Sequence, residues 1–390
     1  MRRQKASGKR SAAERLQAPL GRLAGSEVGR RELTLLLAAI ALGVLLRVAY
    51  VVATHDHPLA GDEPEYYLEG LRATQGRWFW TDRPFDVPHA GMWKSPGYPV
   101  WVSVVYSAIG VGVGKLLLLQ TLLLGPAVIF LVWLLARRLF DSRVAVASAL
   151  VGALYPHMWQ WEGRLYPEAF ALPLGLLLLV LVLECQPTPR RAAVVGVVMA
   201  ASLYVRPTAF FLFAGVAVGW WMANEPRSPY AWRVRNTREA ELFDGPPIPD
   251  AEFRSELQRR ALDYIKEHPD SLPKAFFWNG LSRTWDIRRP QYAIEEVAFE
   301  GRNRNVSIVG IAAYYVLLAA ALVALWRLRA RRALVYPLLA MALAASAVFT
   351  STAATRYRLP LEPMIVILAC TVLPPLIDRR GRLAHSGGGR

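Results

Sequence analysis

Charged side chains stand beside prolines and tyrosines at the ends of several long apolar runs of the sequence. A carboxylate can accept a proton from a hydroxyl group, and a guanidinium group can make bidentate contacts with phosphate oxygens. Together, such groups could activate a hydroxyl and hold a phosphate. They lie in four strings: Asp62-Glu63 after the first run, Lys94-Ser95-Pro96-Gly97-Tyr98-Pro99, Tyr166-Pro167-Glu168, and Arg356-Tyr357-Arg358-Leu359-Pro360.

The apolar runs that must position these strings are long enough to cross a membrane. Residues 33–53 and 116–136 are nearly uncharged over about twenty residues each. A hydrocarbon core about 30 Å thick requires about 20 helical residues. Further apolar runs follow, separated by short arginine-rich links. The sequence therefore predicts an all-α, polytopic transmembrane helical bundle of about nine spans, with outer-face loops that carry interfacial helices.

The net charge of +16 is concentrated beside the apolar runs. Nine Lys or Arg residues fall within residues 1–31, just before the first run, and other basic clusters adjoin later runs. This is the positive-inside pattern of membrane proteins, not a nucleic-acid-binding face. We expect the lipid bilayer and no nucleic acid as a partner, and a cytoplasmic N-terminus. The excess of arginine over lysine hints at a bacterial source, and so at the inner membrane of a bacterial cell.

The charge pattern divides the chain into five parts. They are a disordered basic cytoplasmic arm (1–31), a transmembrane module (32–222), an outer soluble segment (223–305), C-terminal transmembrane helices (306–378) and a cytoplasmic tail (379–390). Within the module, residues 54–114 are expected outside, with an interfacial helix at 97–113. A crossing there would carry Arg137 and Arg138 to the outer face, against the charge rule. The outer segment contains two amphipathic stretches, 251–268 and 271–288.

The apolar stretch 192–222 is interrupted by Arg206-Pro207. Because proline removes a backbone donor and kinks a helix, two short spans meeting at an outer turn are indicated. Two spans would return the chain to the cytoplasm, yet the downstream charges place 223–305 outside. Either 192–222 crosses once as a kinked helix, or one crossing is missing, and both alternatives stay open at this point.

In their order and shared outer placement, the four strings resemble those of the GT-C glycosyltransferases. The pattern is similar to the protein O-mannosyltransferase and aminoarabinose transferase types, and to the bacterial RgtA/B/C/D-like branch, over roughly residues 30–380. The resemblance implies transfer of a sugar from a polyprenyl-phosphate donor to a glycan, lipid or protein acceptor of the cell envelope. It also implies inversion at the sugar carbon and an acceptor-side loop like 223–305. We expect no cofactor and no metal.

The resemblance also implies roles for particular residues. A polyprenyl phosphate leaves readily as an anion, so the site needs a base for the acceptor hydroxyl and cations for the phosphate. Asp62 is the expected base, Glu63 would assist or orient it, and Glu168 would bind the acceptor or position Asp62. Arginine and lysine contact phosphates well. The expected substrate- and phosphate-binding residues are Lys94, Tyr98, Arg206, Arg356 and Arg358.

Each of these residues also has a simpler interpretation. Asp62 and Glu63 could form a solvated helix cap, and Glu168 could be a charge favoured at a helix N-terminus. The arginines could be snorkelling interface residues. His55 and His57 could bind a metal with a nearby aspartate, although isolated histidine pairs are more often inert.

Two other functions compete with glycosyl transfer. A transporter or flippase of lipid-linked precursors would also carry intramembrane arginines, but it would not need an acidic pair on an outer loop. A non-catalytic GT-C paralogue would account for the missing crossing. Radiolabelled polyprenyl-phosphate sugars would distinguish the three.

Overall fold

The structure is a computed structural model. It describes residues 28–82, 88–91, 93–183, 189–224, 250–287, 293–294, 297, 299–348 and 355–372. Most of the expected basic arm (residues 1–27), residues 225–249 of the outer segment and the tail at 379–390 lie outside the described residues.

The first half of the chain is helical, with one small β-ribbon. Its helices are α1 (Arg30–Thr54), α2 (Glu63–Thr74), α3 (Gly97–Ile109), α4 (Val113–Leu139), α5 (Ser142–Leu154), α6 (Glu168–Leu183), α7 (Pro189–Val205) and α8 (Ala209–Asn224). Strands β1 (Trp80–Thr81) and β2 (His89–Ala90) pair antiparallel between α2 and α3. Two short 3-10 turns, Pro156–Met158 and Gln160–Gly163, connect α5 to α6.

The second half contains a mixed helical stretch and the last helices. Helix α9 (Asp250–Glu267) is followed by α10 (Ser271–Ala275), a π-helical stretch (Phe276–Leu281) and a single helical turn (Ser282–Thr284). Helices α11 (Arg304–Arg327) and α12 (Arg332–Val348) come next, then a 3-10 segment (Thr355–Leu361) and α13 (Glu362–Cys370).

Three of the described helices, α1, α4 and α11, are long and apolar enough to cross a membrane. They contain 25, 27 and 24 residues. At about 1.5 Å per residue, the shortest is roughly 36 Å long and exceeds the hydrocarbon thickness of about 30 Å. A helical bundle with membrane-spanning elements is therefore confirmed. Several shorter apolar helices accompany these three. Helix length and composition identify three spans among the described helices, fewer than the expected number of about nine.

Helix α4 is the centre of the bundle and packs against α1, α5 and α6. A buried ion pair fixes this packing: Arg47 Nε of α1 lies 3.1 Å from Glu162 Oε1 in the second 3-10 turn. A buried charge is costly unless it is paired and hydrogen-bonded. The Gln120 amide of α4 donates to the carbonyl oxygens of Glu162 and Arg164, at 2.7 and 3.1 Å. The turn that precedes Glu168 is thus held rigidly against the core.

Several helix borders differ from the sequence-based expectation for local reasons. The helix that starts at Ser142 ends at Leu154, within an apolar run, because Tyr155 precedes Pro156 and is extended. Stretch 192–222 forms two helices, α7 and α8, separated at Arg206-Pro207 rather than one kinked helix. The expected helix at 97–113 forms but ends at Ile109, and 271–288 is broken into short helical pieces.

Candidate functional site

The backbone around Asp62 is fixed by contact with the turn before α6. Gly61 adopts φ +61°, and a Cβ atom there would lie 2.2 Å from the Tyr166 hydroxyl oxygen. That hydroxyl accepts a hydrogen bond from the Asp62 N–H at 3.2 Å and donates to the Ala60 carbonyl oxygen at 3.4 Å. Asp62 immediately precedes α2, yet its side chain makes no capping hydrogen bond. Its carboxylate is directed to other partners.

The Asp62 carboxylate lies between two cations from distant parts of the chain. Its Oδ1 is 3.0 Å from Lys94 Nζ, and its Oδ2 accepts a hydrogen bond from Arg356 at 3.0 Å. Burial by itself would raise the pKa of Asp62, but the charges and hydrogen bonds of Arg356 and Lys94 lower it below its ordinary value. The side chain keeps 26% of its surface exposed. Asp62 is therefore an ionised carboxylate that a ligand can reach.

Arg356 is shared among several carboxylates. Its guanidinium group lies 3.8 Å from Glu168 Oε1 and 3.6 Å from Glu300 Oε1, besides its bond to Asp62. Glu168 is in turn ion-paired with Arg206, whose guanidinium carbon lies 4.7 Å from the Tyr357 ring centroid. The side chains thus form one continuous line of alternating charge from Lys94 to Arg206.

Five of the eight residues expected from the sequence meet in this line: Asp62, Lys94, Glu168, Arg206 and Arg356. Arg206 and Arg356 are only 15% and 13% exposed. Snorkelling side chains would extend into solvent, whereas these two guanidinium groups turn inward to carboxylates.

Glu63 has a fully buried carboxylate that joins two stretches of backbone and a histidine side chain. It accepts hydrogen bonds from the N–H groups of Ala60 and Leu165, at 3.0 and 2.9 Å. His57 Nε2 lies 3.0 Å from both of its oxygens. The side chain is therefore no solvated helix cap, and it fastens the Asp62 turn to the turn before α6.

Tyr98 and Arg358 are also fully buried. The Tyr98 hydroxyl donates to Gln120 Oε1 at 3.0 Å. Arg358 donates to Glu362 Oε1 at 2.7 Å and to the Thr284 carbonyl oxygen at 2.8 Å. Both side chains tie the site to the surrounding helices and already have protein partners.

A groove begins at the two inward-turned arginines and continues between helices. Its polar end, a cavity of about 350 Å³, is lined by Glu168, Arg206 and Arg356. An adjoining cavity of about 490 Å³ shares Arg206 and Thr208 with it. The second cavity follows one face of α6 and reaches α7, α8 and α12, at residues Ala171, Gly175, Leu179, Ser202, Leu212, Phe213 and Met341. From Ala171 to Leu179 this face extends roughly 12 Å along the helix.

The histidines considered as metal ligands have other neighbours. His57 contacts Glu63, and His55 lies 3.1 Å from Asp56 at the surface. Within the described part of the chain, no group of three or more His, Cys, Asp or Glu side chains could hold a metal ion.

Three residues of the site were not selected from the sequence. Glu65 contacts Lys94 at 3.0 Å, Glu300 contacts Arg356, and Tyr166 holds the Asp62 backbone. Glu65 lies two residues after the acidic pair Asp62-Glu63, and Tyr166 belongs to the Tyr-Pro-Glu string. Both could therefore have been selected from their neighbours in the sequence. Glu300 could not have been selected in this way, since it lies in a polar stretch far from the four strings.

Comparison with known proteins identifies the fold. Residues 94–234 match the family described as dolichyl-phosphate-mannose-protein mannosyltransferase. No curated protein sequence matches the chain. Among solved structures, the chain resembles the oligosaccharyltransferase AglB from Archaeoglobus fulgidus in complex with an inhibitory peptide and a dolichol-phosphate. The TM-score is 0.57 at 15% identity, over 92% of this chain and 52% of that one.

Two further structures have the same architecture. The apo form of the Archaeoglobus fulgidus oligosaccharyltransferase matches with a TM-score of 0.56 at 15% identity, over 92% of this chain and 52% of that one. ArnT from Cupriavidus metallidurans in the apo state matches with a TM-score of 0.51 at 18% identity, over 86% of this chain and 59% of that one. This chain spans about half the length of the oligosaccharyltransferase it matches. Its fold is that of the GT-C membrane glycosyltransferases, which confirms the resemblance found in the sequence.

Proposed function

We propose that this protein transfers a sugar from a polyprenyl-phosphate donor to a glycan, lipid or protein acceptor of the cell envelope, on the outer face of the membrane. The observation that carries the proposal is the position of Asp62, which lies between Lys94 and Arg356 while Arg356 also lines the groove. The Arg356 side chain thus connects the accessible carboxylate of Asp62 to the cationic end of the groove.

The donor would bind with its phosphate at Arg206 and Arg356 and its isoprenoid chain in the adjoining groove. Guanidinium groups contact phosphate oxygens bidentately, and the apolar face of α6 suits a hydrocarbon chain. Glu168 is ion-paired with both arginines, which limits the cost of keeping them partly buried. A bound phosphate would compete with this carboxylate for the two cations.

The acceptor hydroxyl oxygen would attack the anomeric carbon while the bond from that carbon to the phosphate oxygen breaks. The bonding electrons leave with the polyprenyl phosphate, the configuration inverts, and the hydroxyl proton passes to Asp62. Because Arg356 partly neutralises Asp62, a phosphate that draws on the same guanidinium group raises the pKa of Asp62 and makes it a stronger base. Donor binding and activation of the acceptor are coupled in this way.

The remaining expected residues would act through others in this proposal. Glu63 and Tyr98 would hold the Asp62 turn and α3 in place, and Glu168 would keep Arg206 and Arg356 aligned. Arg358, engaged with Glu362, would fix the 3-10 segment that carries Arg356.

The orientation follows from the same site. We propose a bacterial inner-membrane protein with about nine spans, a cytoplasmic N-terminus, and residues 54–114 and 223–305 outside. Two crossings within 192–222 are supported by the contact of Arg206 with Glu168, which brings the turn between α7 and α8 to the Asp62 side. Two crossings there would return the chain to the cytoplasm, whereas the downstream charges place 223–305 outside. Residues 225–249, which follow α8, lie outside the described residues.

A reconstitution assay tests this function against its rivals. The protein in vesicles is given radiolabelled polyprenyl-phosphate sugars and a cell-envelope fraction. A transferase moves the label to the acceptor fraction and leaves free polyprenyl phosphate. Movement of intact donor across the bilayer without cleavage would instead establish a flippase. Donor binding with neither outcome would indicate a non-catalytic paralogue.

A further inference from the structure

A second cleft lies in the part of the chain between α1 and α4, apart from the groove at the arginines. It contains about 310 Å³ of open space between α2, the β-ribbon and the start of α3. The side chains that carry the argument are Glu69, Trp78, Phe79 and Lys94, all of which line the cleft.

Glu69 offers a hydrogen-bonding group inside this cleft. Its carboxylate accepts hydrogen bonds from the Thr81 hydroxyl and the Lys94 backbone N–H. Its Oε1 atom is buried and has no hydrogen-bond partner among the described residues. Burial raises the pKa of Glu69 to about 7. Near neutral pH the group can therefore donate to a ligand hydroxyl or accept from one.

Two aromatic rings form the exposed side of the cleft. Trp78 and Phe79 are 46% and 52% exposed. Phe79 adopts φ +60°, a conformation that is unusual for a bulky residue. A hydrogen bond from the Gly91 N–H to the Phe79 carbonyl oxygen, at 2.7 Å, anchors the peptide there. Strain of this kind accumulates at ligand-binding sites, since the surrounding structure must maintain it.

Lys94 decides which ligand fits. A carboxyl group with aromatic rings could hold a cation. Lys94 also lines the cleft, and its positive charge, which acts on Glu69, disfavours a cationic ligand there. A ring with several hydroxyl groups and an apolar C–H face suits these side chains better. The Lys94 ammonium group also contacts Asp62, so a ligand in the cleft lies one side chain away from the proposed base.

We propose that this cleft binds a neutral sugar ring of the acceptor, which stacks on Trp78 and Phe79 and hydrogen-bonds to Glu69. The proposal rests on the proposed function, because it gives that function an acceptor of carbohydrate character. With the ring bound in the cleft, a neighbouring hydroxyl group of the acceptor lies past Lys94 and next to Asp62.

Saturation-transfer NMR on the full chain in nanodiscs, free of maltoside detergent, tests the cleft. The probes are the methyl glycosides of glucose, galactose and mannose, with choline as the cationic probe. At least one glycoside should show saturation of its ring C–H protons. Trp78→Ala should abolish this signal, and Glu69→Gln should weaken it about 10-fold or less, as expected for one hydrogen bond. Trp93→Ala, which removes an exposed tryptophan between the β-ribbon and α3, is the matched control and should retain it.

Equal signals from wild type and Trp78→Ala, no glycoside signal at all, or a signal from choline alone would overturn the proposal. Polyprenyl-phosphate affinity, measured on the same samples, should be unchanged in Trp78→Ala and shows that the variant is folded. Glycoside binding without sugar transfer in the reconstitution assay would overturn the proposed function and leave the sugar-binding cleft intact. Sugar transfer without glycoside binding would overturn the sugar-binding cleft and leave the proposed function intact.

Discussion

Arg356 donates a hydrogen bond to Asp62 at 3.0 Å, although 294 residues separate them in the sequence. The contact joins the first outer loop to the segment before the last described helix. Because the same guanidinium group lines the groove and contacts Glu168, the ionisation of Asp62 depends on what the groove contains.

Replacement of Arg356 should change the pH dependence of transfer. Asp62 must be ionised to accept a proton, and the positive charge of Arg356 makes the largest single contribution that lowers its pKa. In wild type, transfer should therefore persist as the pH falls to values below the ordinary aspartate pKa. In Arg356→Gln that charge is lost while Lys94 remains, so the pKa of Asp62 rises and the acid limb of kcat/KM should move to higher pH. The kcat/KM should also fall by about 10²-fold or more, as when one transition-state donor is lost.

Arg329→Gln serves as its control, since Arg329 is exposed and lies over Trp326 away from the site. An acid limb at the same pH in wild type and Arg356→Gln would contradict the coupling of Arg356 to Asp62.

Loss of Arg206 should weaken binding of the donor phosphate. A hydrogen bond to a charged group contributes about 1.5–3 kcal/mol, which corresponds to roughly 10- to 150-fold in Kd. Arg206→Gln alone leaves the buried Glu168 without the closer of its two arginine partners, so the double variant Arg206→Gln/Glu168→Gln is needed as well. Both should bind polyprenyl phosphate more weakly in a flotation or calorimetric measurement. Wild-type affinity in the folded double variant would exclude Arg206 from the phosphate site.

Arg358 should behave differently from the other two arginines. It is fully buried against Glu362, and Asp286 lies 3.8 Å away. Removal of one partner from a buried ion pair typically costs roughly 3–5 kcal/mol in the free energy of unfolding. Arg358→Met should therefore lower the unfolding temperature of the purified protein. At temperatures where it is folded, polyprenyl-phosphate affinity should match wild type, and a selective loss of affinity would return Arg358 to the phosphate site.

The turn at Gly61 provides a test of the backbone contact to Tyr166. Gly61→Ala places a Cβ atom against the Tyr166 hydroxyl and adds about 1–2 kcal/mol for a left-handed alanine. Transfer should fall because the Asp62 backbone is displaced. Tyr166→Phe removes the oxygen that causes the clash, so Gly61→Ala/Tyr166→Phe should recover part of the activity. A double variant that is no more active than Gly61→Ala would contradict the claim that a clash with the Tyr166 hydroxyl causes the loss in Gly61→Ala.

The sequence predicted the elements well where length and charge decide the structure. Helices α1, α4 and α11 are apolar runs of spanning length, and α2 begins directly after Asp62 as Pro64 indicates. Borders set by local breaks were less accurate. Tyr155-Pro156 ends α5 early, because a residue before proline avoids the helical conformation.

The internal arrangement of the site could not be predicted from the sequence. Arg356 and Arg358 differ by two residues and belong to one string, yet one lines the groove and the other packs on the Tyr314 ring at 3.5 Å. Glu63 and Asp62 are adjacent, but only Asp62 is reachable. These differences depend on tertiary contacts, such as those of Arg358 with Tyr314 and of Asp62 with Arg356. Neither composition nor periodicity predicts such contacts.

Substitution of Asp62 tests the central claim most directly. Asp62→Asn keeps the size of the side chain and removes its charge, and Asp56→Asn makes the same change at an aspartate of the same loop that is 90% exposed. Transfer of label from a polyprenyl-phosphate sugar to the envelope fraction is measured for both, together with donor binding. We predict that Asp62→Asn loses about 10²–10⁴-fold in turnover and still binds donor, while Asp56→Asn matches wild type. Near-normal turnover by Asp62→Asn would contradict the account.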